Sequence, residues 1–213
     1  MPYPLIKSMT ECEIERLESR EMAGVRQFDE ERTLDLALNV FWQKGLSATS
    51  MQDLAEATGV LRGSLYNAYQ GKEQLFLKVF DRYRQRMTGN MAAALADPSI
   101  KTALEGFFDF IITSMIEGTP TRGCLTTKTA VDGISEIDTI RAALQGMLDD
   151  IESLLQARFA LEEQHETLNL PAHEASRLVS TFTRGVVVME RVYQDEARLR
   201  STAASMVKVL IKA

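Results

Sequence analysis

An all-α fold is predicted by three observations. Apolar residues recur at three- and four-residue spacings through most of the 213 residues, and no stretch alternates apolar and polar between turn residues. Helix-starting Asp, Ser or Pro and helix-stopping Gly also punctuate these periodic segments. The β-branched run GVVVME, residues 185–190, lies inside a helical period and does not break the pattern.

Asp29 is placed to cap a first helix through ERTLDLALNVFWQKG, with Leu34, Ala37, Leu38 and Phe41 on one face and Gly45 as its stop. Ser50 and Asp53 have capping-box spacing for a second, MQDLAEAT, which turns Met51, Leu54 and Ala55 inward and ends at Gly59. A third, LRGSLYNAY, closes at Gly71. A long segment follows from Lys72, with Leu75, Phe76, Val79, Phe80 and Tyr83 as its apolar stripe and Asp97-Pro98 as its stop. Further helices are expected in SIKTALEGFFDFIITSMIEG, in a short piece after Gly123, and from about Ser135 to Phe159. After the polar connection EEQHETLNLP, Pro171 opens AHEASRLVSTFTRGVVVMERVYQ, and DEARLRSTAASMVKVLIKA ends the chain. The expected division is an N-terminal extension at 1–25, a three-helix domain at 26–71 and a helical domain at 72–213.

The composition is 45% hydrophobic with a net charge of −6, and no apolar run approaches the roughly 18 residues of a membrane span. The first residues contain no long apolar leader segment. Cys12 and Cys124 are far apart and stand in no metal-ligand spacing, so a reducing cytoplasm is expected and a structural disulfide is not. Bulk charge argues against nucleic acid, but its distribution does not. Between Thr58 and Arg86 stand Arg62, Lys72, Lys78, Arg82, Arg84 and Arg86 against only Glu73 and Asp81. A solvated helix face would also account for that window, because Arg82, Arg84 and Arg86 do not share one side of a helix. The glutamate-rich extension would repel phosphate, so it is not expected to touch DNA.

Two short helices joined at Gly59 have the form of a helix-turn-helix. Ala55 lets them cross closely, and Val60 and Leu65 fill the wedge between them. Gly63 costs such a helix about 1 kcal/mol relative to Ala, which suits a place where a sugar-phosphate backbone must come near. Arg62 and Ser64 flank it as donors, Tyr66 and Asn67 follow one turn later, and Lys72 stands at the next helix start, where a phosphate can be held. The structural alternative is an ordinary surface helix with Tyr66 half-buried.

The segment from Phe28 to Tyr83, about a quarter of the chain, resembles the TetR/AcrR family of bacterial transcriptional regulators. The resemblance is carried by A-x-x-x-F-W-x-x-G, T-S-x-x-D-L-A, G-V-x-x-G-S-L-Y and G-K-E-x-L-F, which occur in that order. It implies a homodimer reading a palindromic double-stranded operator, with an effector pocket and the dimerisation surface in the C-terminal half. Matched position by position, it places Met51, Leu61, Arg62, Gly63, Ser64, Tyr66, Asn67 and Lys72 at DNA. Two positions depart from the pattern. Leu61 stands where Ser or Thr commonly caps the recognition helix, and Ala68 stands where an aromatic residue or His is common.

In the C-terminal half, Phe107, Phe108, Phe110, Ile111, Met115, Met147, Phe159 and Phe182 form an apolar set, most of it suited to the core. Phe107, Phe110, Met115, Cys124 and Met147 are the candidates for an effector pocket. Cys124, at an expected helix start, reads either as a buried small residue or as a reactive thiol with a lowered pKa. Val179, Phe182, Val186 and Met189 recur at three- and four-residue intervals and are the expected dimer seam. His165 and His173 with Glu162, Glu163 and Glu166 do not form a metal motif, and neither a metal nor a cofactor is expected. No Cys, His and carboxylate arrangement and no Gly-rich phosphate loop is legible, so an enzyme is not expected. The expected function is a TetR-like repressor released by a small molecule, through movement of the helix after Lys72 with Gly89 and Gly106 as flexing points. The alternatives are an activator or architectural binder of the same fold, or a helical interaction protein without specific DNA binding.

Overall fold

The computed structural model describes residues 28–118, 121–133, 137–163 and 167–212, with Glu163 described in its main chain only. The N-terminal extension at 1–25, Cys12, the expected helix start at Ser135, and the side chains of Glu163, His165 and Glu166 lie outside the described residues. The described helices are α1 (Glu30–Ala48), α2 (Met51–Thr58), α3 (Arg62–Tyr69), α4 (Lys72–Ala94), α5 (Ile100–Ile116), α6 (Leu125–Val131), α7 (Asp138–Glu163), α8 (Ala172–Tyr193) and α9 (Glu196–Leu210). The only β pairing among the described residues is an isolated bridge between Leu168 and Ile211. None of these helices is long and apolar enough to cross a membrane.

Local chemistry sets most of the boundaries. The Asp29 carboxylate accepts from the Arg32 N–H at 3.1 Å, and Ser50 and Asp53 form the reciprocal capping box expected of them. Gly59, at φ 69°, closes α2 in the left-handed conformation. Gly45 behaves differently from the expected stop: at φ 79° and ψ 168° it kinks α1, and the helix resumes to Ala48. The kink is held by tertiary contacts. The Ser47 N–H donates to Asp132 Oδ2 at 3.2 Å, and a Cβ on Gly45 would come within 2.9 Å of that same oxygen.

α1, α2 and α3 pack through Leu34, Phe41, Leu54 and Leu65 onto the first turns of α4, where the Phe41 ring meets Phe76 edge-on at 5.2 Å. Each such burial contributes about 1.5–3 kcal/mol before chain entropy is counted. α4 then runs into the C-terminal body and packs against α5 and α7, while α7 packs on α8 and α5 on α9. One connected core extends from Leu34 to Leu210. A Cβ on Gly106 would meet the Ala94 carbonyl at 3.7 Å, an ordinary contact, and Gly89 lies mid-helix in α4.

Two expected seam residues are corrected. Val179 and Val186 are buried within the protomer's own core and are not on its surface. Phe182 is half-buried with its ring edge-on to Phe108 at 5.6 Å, whereas Met189 is exposed. The outward apolar residues of α8 are Leu178, Val188, Met189, Val192 and Tyr193.

Candidate nucleic-acid interface and regulatory cavity

α3 is pinned by two side chains and shows the rest of its N-terminal half to solvent. Leu65 and Tyr69 are buried, while Leu61, Arg62, Gly63, Ser64, Tyr66 and Asn67 are exposed. Leu61 is 79% exposed and Tyr66 56%, which is unusual for side chains this apolar. A Cβ on Gly63 would meet nothing within 4 Å, so the missing side chain answers no packing need inside the protein. Leu61 occupies the N-cap position of α3 and supplies no side-chain hydrogen bond. The first-turn N–H groups therefore face outward beside Arg62 and form an electropositive end. Met51, Val60 and Ala68 are half-buried against the core. Asp53, which holds the start of α2, has its carboxyl well below the usual carboxylate range. The Lys44 ammonium is the main cause, followed by the Ser50 N–H and hydroxyl.

Lys72 departs from expectation. Its ammonium donates to the carbonyls of Leu46 at 3.0 Å, Ser47 at 3.1 Å and Thr49 at 2.9 Å, which caps the C-terminal end of α1. All three of its protons are thereby used inside the protein.

The N-terminal helices and the C-terminal body are joined by a further set of polar contacts that the sequence did not reveal. The Trp42 indole N–H donates to the Gly123 carbonyl at 3.1 Å, and Lys128 Nζ donates to the carbonyls of Trp42 at 2.9 Å and Gln43 at 2.6 Å. With the Ser47–Asp132 bond, these tie α6 to the kinked end of α1.

Beside this junction lies a cavity of about 20 Å³, lined by Met115, Cys124 and Met147 together with Tyr83, Met91 and Arg184. That is room for about one water molecule. Two expected lining residues are elsewhere: Phe107 is core, packed edge-on to Phe108 at 5.6 Å, and Phe110 is half-buried away from the cavity. Arg184 was missed by sequence reasoning; its only sequence signal is a cation set within an apolar helical run. Its Nη1 donates to Cys124 Sγ at 3.4 Å, and its Nε and Nη2 donate to the Thr183 hydroxyl at 3.2 and 3.0 Å. Burial alone would raise the Cys124 thiol pKa, but Arg184, the Thr127 main chain and hydroxyl, and the Tyr83 hydroxyl outweigh it and bring the pKa down. Burial and the neighbouring thiol push the Tyr83 phenol well up.

Of the imagined metal set, Glu162 is engaged by Arg158 Nη1 and the Thr167 hydroxyl, each at 2.6 Å. His173 is exposed at 3.8 Å from Glu174. Among the described residues no three His, Cys, Asp or Glu side chains are grouped as metal ligands.

Residues 34–79 match the family described as bacterial regulatory proteins, tetR family. The chain is similar to the HTH-type transcriptional repressor ComR of Escherichia coli strain K12, with 34% identity over 64% of this chain and 61% of that protein's length. It is also similar to the uncharacterized HTH-type transcriptional regulator YezE of Bacillus subtilis strain 168, with 29% identity over 89% of this chain and all of YezE. Its fold is similar to that of a cysteine mutant of the TetR family regulator CifR solved with 26 bp operator DNA, at a TM-score of 0.77 and 23% identity over 87% of this chain and 98% of that one. The matched segment spans the exposed α3 and its supports, so residues 34–79 carry the N-terminal domain of the tetR family of bacterial regulatory proteins, and the chain as a whole is similar to regulators of that family.

Proposed function

We propose that the protein is a homodimeric repressor that binds a palindromic operator and is released by a small-molecule effector. The observation that carries this reading is the N-terminal half of α3, with Leu61, Arg62, Gly63, Ser64, Tyr66 and Asn67 exposed around the fixed Leu65 and Tyr69. Arg62 and Asn67 supply base-edge and phosphate donors, Gly63 lets the backbone come close, and Leu61 offers an apolar contact to a thymine methyl. Lys72 supports the site indirectly by capping α1, and the main-chain N–H groups at the start of α4 remain for a phosphate. Met51 completes the surface from the start of α2.

Dimerisation is assigned to the outward stripe of α8, where Leu178, Phe182, Gly185, Met189 and Val192 follow a four-three-four-three spacing. Release is assigned to the cavity around Met115, Cys124 and Met147. At about 20 Å³ it must open before a small organic molecule can enter. Opening it displaces Gly123 and α6, which hold Trp42 and the end of α1. Half-sites lie about 34 Å or a multiple apart, so a small pivot spoils simultaneous insertion of two recognition helices. The kinship of ComR, named as a repressor, supports repression.

The test is selection of duplexes from a random library by the full chain at physiological salt. A palindromic motif is expected, and Arg62→Ala should weaken binding to it by about 1–3 kcal/mol. Recovery of no motif, with binding that vanishes as salt rises, would overturn the reading.

A further inference from the structure

Between α1 and the C-terminal body lies an open cleft of about 670 Å³. One wall is Asn39, Trp42 and Gln43 of α1; facing it are Arg122, Lys128 and Arg191. Three cations thus meet in a protein of net charge −6. Most of their internal partners are neutral. Lys128 donates to the Trp42 and Gln43 carbonyls, and Arg191 donates to the carbonyls of Thr121 at 3.1 Å and Arg122 at 2.9 Å. Such bonds fix the cations in place without themselves neutralising their charge.

Three carboxylates stand near them, and none makes a close bidentate pair with a cation of the cleft. Glu117 reaches Arg122 at 3.4 Å from an exposed position. Glu190 is buried 3.9 Å from Arg191, too far for a hydrogen bond. Asp132 accepts from the Ser47 N–H. The Lys128 pKa falls through desolvation and then through repulsion by Arg191, only partly offset by Asp132. The amides of Asn39 and Gln43 have no hydrogen-bond partner among the described residues and stand ready as neutral donors on the opposite wall.

We propose that this cleft binds a compact polyanion, an organic phosphate or a polycarboxylate, between Arg122, Lys128 and Arg191 on one side and the Asn39 and Gln43 amides on the other. The spare N–H groups of Arg122 and the remaining ammonium proton of Lys128 take the anionic oxygens. Trp42, over whose ring the Arg122 guanidinium lies at 5.3 Å, completes the α1 wall. One wall belongs to the DNA-binding end and the other to the C-terminal body, so an occupant links the two. The site is separate from the cavity at Cys124, with Trp42 common to both linings.

Trp42 is the only tryptophan in the chain, which makes its fluorescence a reporter for this cleft. The full chain, free of DNA, is titrated with pyrophosphate and separately with citrate, each against sodium chloride at matched ionic strength. A saturable change with either polyanion and none with chloride is expected. Saturation by pyrophosphate alone identifies phosphate chemistry, and saturation by citrate alone identifies polycarboxylate chemistry. Arg122→Gln, which leaves the Lys128 and Arg191 bonds to carbonyls in place, should weaken the response about tenfold or more. A rise in melting temperature with the polyanion, lost in the same variant, is the second readout. A response that follows ionic strength alone, or that is equal in Arg122→Gln, overturns the proposal. No operator is used, so this result stands apart from the DNA-binding reading.

Discussion

At Cys124 three effects compete for one proton. Burial holds it on sulfur, while the Arg184 guanidinium at 3.4 Å and the polar groups of Thr127 and Tyr83 beside it draw it off, and together they prevail. The thiol pKa in the fold is therefore below that of the unfolded chain. Wild type should gain stability over Cys124→Ser as pH rises from the folded toward the unfolded value of about 8.5, and lose that gain as pH falls back. Iodoacetamide should alkylate Cys124 in the native protein with a rate midpoint below that of a free thiol, and Arg184→Gln should move the midpoint up. Peptide mapping separates this cysteine from Cys12. A wild-type midpoint at or above about 8.5 would count against the Arg184 effect. The sequence singles out Cys124 by its place after Arg122-Gly123, but Arg184 arrives from 60 residues away, and no local pattern announces it.

At the scale of elements, α2 and α3 make an instructive pair. Ser50 and Asp53 satisfy two orphan N–H groups at the start of α2, whereas Leu61 satisfies none at the start of α3. Leu61→Ser should therefore stabilise the protein by about 1 kcal/mol, raising the melting temperature by about 2–4 °C, while removing an apolar contact to the operator. Denaturant melts read the first effect and operator titration the second; unchanged stability would mean that α3 gains nothing from a cap. These helix ends were legible because each cap lies within three or four residues of its partner. Gly45 was not. Its backbone fits a helix stop, but Asp132, 85 residues on from Ser47, holds the chain so that α1 continues past the kink. The expected phosphate role of Lys72 gave way for a similar reason, since its carbonyl partners lie 23 to 26 residues back.

At the scale of the whole molecule, α8 carries two apolar stripes. Val179, Val186 and Val187 face the protomer's core, and Leu178, Met189 and Val192 face out. Val192, 68% exposed, is the cleanest place to test the seam, because Phe182 also packs on Phe108. Val192→Asp should give a folded monomer in analytical ultracentrifugation with weakened operator binding. A dimer that survives the change removes α8 from the interface.

The sequence by itself determined the helical class, the capped ends of α2 and the outward face of α3, because helical period and capping act over a few residues. The tertiary structure decided which α8 stripe enters the core, what Lys72 and Arg184 hold, and that Arg122, Lys128 and Arg191 share a cleft with Trp42. Those outcomes depend on partners 23 to 86 residues apart, which only packing brings together.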